Sequence, residues 1–106
     1  MAGDPKGRLL DLLERQAFAP VLRAKASEYP EAKRAALADA QEATRAEMER
    51  FRSCASAHDV VRAFHCDLHS DEGKARHRQL NGLGLPTFAD LRDSFEKLAS
   101  DLRVGS

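Results

Sequence analysis

The sequence predicts an all-α protein: a single small bundle of five to six helices, with one long central helix at about residues 30–53. Three observations carry that prediction. Ala (18) and Leu (13) dominate the chain, while strand formers are scarce, with four Val, two Thr and no Ile; Ala and Leu favour helices, and β-branched residues favour strands. Apolar residues recur at spacings of three and four between helix-start signals. The 106 residues suit one domain, 1–106, with one modest core. Because so many of the apolar residues are Ala, little area is buried per residue, and a core this thin favours association.

The elements follow in order. Asp4-Pro5 is an N-cap with Pro at the first helical position. Leu9, Leu10, Leu12 and Leu13 then give one apolar face as far as about Gln16. Pro20 is read as the start of a short second helix running to about Ala26. Pro30 and Glu31 open the long helix, where an acid suits the positive end of the helix dipole. Its narrow apolar face reads Leu37, Ala40, Thr44, Met48, Phe51 and Ala55.

Ser56 with Asp59 marks a new start, and a helix at about 57–69 buries Ala57, Val60, Val61, Phe64 and Leu68. Ser70-Asp71-Glu72 starts another, which runs to Leu80 and stops at a left-handed residue in Asn81-Gly82. In the last helix, Thr87 and Asp90 form a capping pair, and Phe88, Leu91, Phe95, Leu98 and Leu102 form the buried stripe. Residues 57–103 are expected to be the best-packed part, with 1–29 docking on them or extending from them.

Charge is balanced at 17 basic and 17 acidic residues, with no basic arm or acidic tail. That lowers the expectation of nucleic-acid binding, which draws its affinity from many phosphate contacts. Two cysteines without disulfide-like spacing, an N-terminus unlike a signal peptide and no membrane-length apolar run predict a soluble cytoplasmic protein.

The chemistry-bearing side chains are concentrated. Both cysteines and all four histidines lie between Cys54 and His77. His65, Cys66 and His69 lie within one helical turn or so of each other, and His77 or Cys54 would complete a four-ligand set from a neighbouring helix. Cys54 and His58 also share a face if the long helix continues past Ser53. The alternative is that the histidines border the apolar stripe and the cysteines are small semi-buried hydrophobes. No set of nucleophile, base and orienting group can be assembled, so no catalytic residue is expected.

Leu83-Gly84-Leu85, followed by Thr87, Asp90 and Leu91, resembles the turn of helix-hairpin-helix modules of DNA-handling proteins. The resemblance covers about a quarter of the chain. It implies that the backbone N–H groups around Gly82, Leu83 and Gly84 meet a DNA phosphate, with Lys74, Arg76 and Arg78 as the nearby basic cluster.

The leading expectation is a small non-catalytic helical protein-interaction module, with a protein partner or self-association through a seam of Leu37, Met48 and Phe51. Two alternatives stand beside it. One is a metal-binding or redox-responsive regulator using Cys54, His65, Cys66, His69 and His77, with zinc or another transition metal as the cofactor where otherwise none is expected. The other is a DNA-binding accessory domain using Gly82 and Gly84 with the basic cluster.

Overall fold

The computed structural model describes residues 4–104, and among them every regular element is helical. The first helix, α1 (Pro5–Leu13), is capped by Asp4, whose carboxylate accepts from the N–H of Gly7. It does not stop near Gln16. The chain runs on through a wide π-helical turn, Glu14–Phe18, directly into α2 (Ala19–Arg23). Pro20 is the physical reason. In a regular helix its ring would press on the carbonyl four residues back, and it has no N–H to donate. The π turn absorbs that conflict, and Ala19 N–H reaches the carbonyl of Glu14, five residues back. The proline expected to start a second helix instead lies within one continuous helical path.

Gln41 ends that path by donating to the carbonyls of Val21 (3.1 Å) and Ala24 (2.8 Å). After a short 3-10 turn (Ala26–Glu28), α3 spans Glu31–Arg52. Its 22 residues make a spine about 33 Å long. It ends before Cys54, so Cys54 and His58 do not share a helix.

Ser56 caps α4 (Ala57–His69) through the N–H of Asp59 at 3.3 Å. Ser70 then closes α4 and opens α5 (Asp71–Gly82), accepting from the N–H of Gly73 at 3.0 Å. This one-residue corner brings the two helices so close that a Cβ on Gly73 would fall on the carbonyl of Asp67. Only glycine fits there.

The end of α5 differs from expectation. Gly82 is still helical, and the left-handed residue is Gly84, at φ +69°. Leu85 N–H bonds to the carbonyl of Leu80 (2.9 Å) and Gly84 N–H to that of Asn81 (3.1 Å), which is the Schellman closure. The last helix, α6 (Phe88–Asp101), starts at Thr87. The Asp90 carboxylate accepts from the Thr87 N–H (2.9 Å) and hydroxyl (3.3 Å).

The α1 helix packs on α4 and α6, α2 on α3, α3 on α5, and α4 on both α5 and α6. The apolar residues form two clusters. The larger joins Leu9, Leu12, Leu13, Phe18, Phe51, Val60, Val61, Phe64, Leu68, Phe88, Leu91 and Phe95. The smaller is Val21, Leu37, Ala40, Leu80 and Leu83, flanked by Tyr29 and Leu85. Residues of α1 and the π turn therefore sit inside the main core, so the N-terminal segment docks rather than extends. The molecule is somewhat elongated, 45 × 29 × 21 Å. No helix among the described residues is long and apolar enough to cross a membrane.

Candidate functional site

The inward stripe of α3 is Leu37, Ala40, Thr44, Glu47 and Phe51. The sequence reading placed Met48 on that stripe. Either residue satisfies a three-four spacing between Thr44 and Phe51, but the structure turns Glu47 inward, with its side chain 5% exposed, and leaves Met48 half-buried at the edge. A glutamate is tolerated there because α5 delivers a partner. The guanidinium of Arg76 lies directly against its carboxylate, and that of Arg50 is 3.9 Å away.

Arg50 also reaches Asp67 of α4 at 2.5 Å. Glu72 and His77 of α5 complete the charged wall of one cleft. The facing wall is apolar: Phe18 and Val21 from the N-terminal path, Leu80 from α5, and Pro86 and Phe88 from the last turn and helix. About 40 Å³ inside is open to the centre of a water molecule. The cleft borders both apolar clusters, so the charges lie along the seam between them.

The burial is felt by the ionisable groups. Desolvation raises the Asp67 carboxyl above its usual range, against the lowering effect of Arg50, and Glu72 adds to the rise. Desolvation lowers Arg76 below its ordinary value. It also lowers His77, which Arg76 depresses further, while Asp67 and Asp90 partly offset the fall.

The proposed metal ligands do not converge. Cys54 lies in the turn after α3, its Sγ 3.7 Å from the Arg50 carbonyl. His65 borders α6, with Nε2 3.7 Å from Glu96. Cys66 and His69 are exposed on α4, and His77 lines the cleft. Among the described residues no three His, Cys, Asp or Glu side chains gather as a metal-binding group. A shared helix face was not enough, because His65 and His69 point to different surroundings and the second helix offers only His77.

The basic cluster is likewise divided. Lys74 and Arg78 are exposed, whereas Arg76 turns inward to Glu47. In the turn, the N–H groups of Leu83, Gly84 and Leu85 all close α5 internally, so they are not available to a phosphate. The carbonyls of Gly82 and Leu83 accept from Lys33 (3.0 Å) and Tyr29 (2.8 Å). The expected interaction seam is also interior. Leu37 is 1% exposed and Phe51 0%, because α2, α5 and the π turn cover them.

Sequence reasoning did not bring Glu47, Arg50, Asp67 and Glu72 together as one site. The one available signal was the three-four spacing from Leu37 to Phe51, which Glu47 completes as well as Met48 does. The fold and the cleft define the class: a small all-α protein with one semi-enclosed, charge-lined cleft. The chain matches no known protein-family model, no curated protein and no solved structure.

Proposed function

We propose that this chain is a small non-catalytic helical module that binds a protein partner through the cleft between α3, α4, α5 and the N-terminal path. The observation that supports it is the lining: ionised groups of both signs beside an aromatic and aliphatic wall, in a recess still open to solvent. Recognition sites combine those two features, an apolar surface for affinity and a few placed polar groups for orientation. The charges pair with one another rather than flanking a nucleophile, so binding suits the site better than catalysis. Both cysteines are free thiols, which suits a reducing compartment such as the cytoplasm.

A random-peptide library selected on the folded protein tests this reading, with the winners mapped by backbone amide shifts. Shifts clustered at Thr44, Glu47, Glu72 and Arg76 are the expected result. Selected peptides that map elsewhere, or no selected peptide at all, would overturn it.

A further inference from the structure

We draw no further inference here: the strongest candidate, the open groove between α4 and α6 lined by Val61, Phe95, Ala99 and Val104 with His65 and Glu96 beside them, is an unpartnered apolar face, and nothing in the structure shows what covers it.

Discussion

The two apolar clusters of this molecule are held together differently. The larger contains all five phenylalanines, and each is 5% exposed or less. Phe64 stacks on Phe95 with ring centroids 3.9 Å apart and on Phe88 at 4.8 Å, while Phe18 and Phe51 contact Phe88 at tilted or edge-on angles. Four helical stretches meet in that one aromatic knot. The smaller cluster has only Val21, Leu37, Ala40, Leu80 and Leu83, and it borrows polar supports: the hydroxyl of Tyr29 on the Leu83 carbonyl and Gln41 on the end of α2. Between the two runs the charged cleft. A close-packed aromatic core tolerates little change in volume, whereas the small cluster depends on hydrogen bonds and on the ion pairs at its border. Stability should therefore be concentrated at the phenylalanine end, with adaptability at the cleft.

The sharpest test of that contrast is a pair of truncations. Phe64→Ala should cost about 4 kcal/mol and Leu80→Ala about 2 kcal/mol, the first at the upper and the second at the lower end of core truncations. Urea unfolding measures both, and equal costs would show that the two clusters are one core. Next, Gly73→Ala drives a Cβ into the Asp67 carbonyl and should cost about 3 kcal/mol, because backbone rather than a flexible side chain must move. A neutral result would mean that the α4–α5 corner opens freely and that the cleft wall is not fixed by it.

Glu47→Gln removes the charge that Arg76 is folded onto. It should cost about 2 kcal/mol, less than for a fully buried pair because Arg76 is 29% exposed. A more stable variant would make the pair a retained functional charge rather than a support of the fold.

The two clusters are also closed by matching turns. Gly84 at φ +69° folds Leu85 onto the small cluster, and Arg103 at φ +59° folds Val104 onto the large one. Arginine is strained in that conformation and glycine is not, so Arg103→Gly should stabilise the protein by about 1 kcal/mol. A loss of stability would indicate that the arginine side chain holds α6 in place.

The smallest effect is the pH response of the cleft. The folded-state pKa of His77 lies below its ordinary value of 6.5. The unfolded chain therefore binds more protons just below pH 6.5, so His77 lets stability rise with pH through that window and withdraws it as the pH falls. Asp67 acts at lower pH and in the opposite direction: its raised carboxyl pKa makes stability fall as pH rises above 3.8. Thermal melts of the wild type and His77→Gln should differ in slope below pH 6.5 and converge above it. Parallel curves would remove His77 from the cleft's titrating groups.

Several elements were legible in the chain itself. The Thr87–Asp90 cap and the Phe88, Leu91, Phe95 stripe of α6 are present as read, although Ala99 rather than Leu98 or Leu102 completes the fully buried set. Ser56 and Ser70 open the helices they were expected to open. Caps and periodic stripes are local, and their physics is complete within a few residues. The Cys/His window looked like a centre of chemistry and is spread over several surroundings, because ligand convergence depends on how helices are rotated against each other.

The helical class, the capped starts and the long spine each follow from propensity and spacing along the chain. The packing of helices on one another set the rest: Pro20 is carried through a π turn, Phe51 and Leu37 are covered, and Glu47 rather than Met48 faces inward. A glutamate is costly to bury alone and acceptable beside Arg76, and those two residues lie on different helices, so packing alone brings them together.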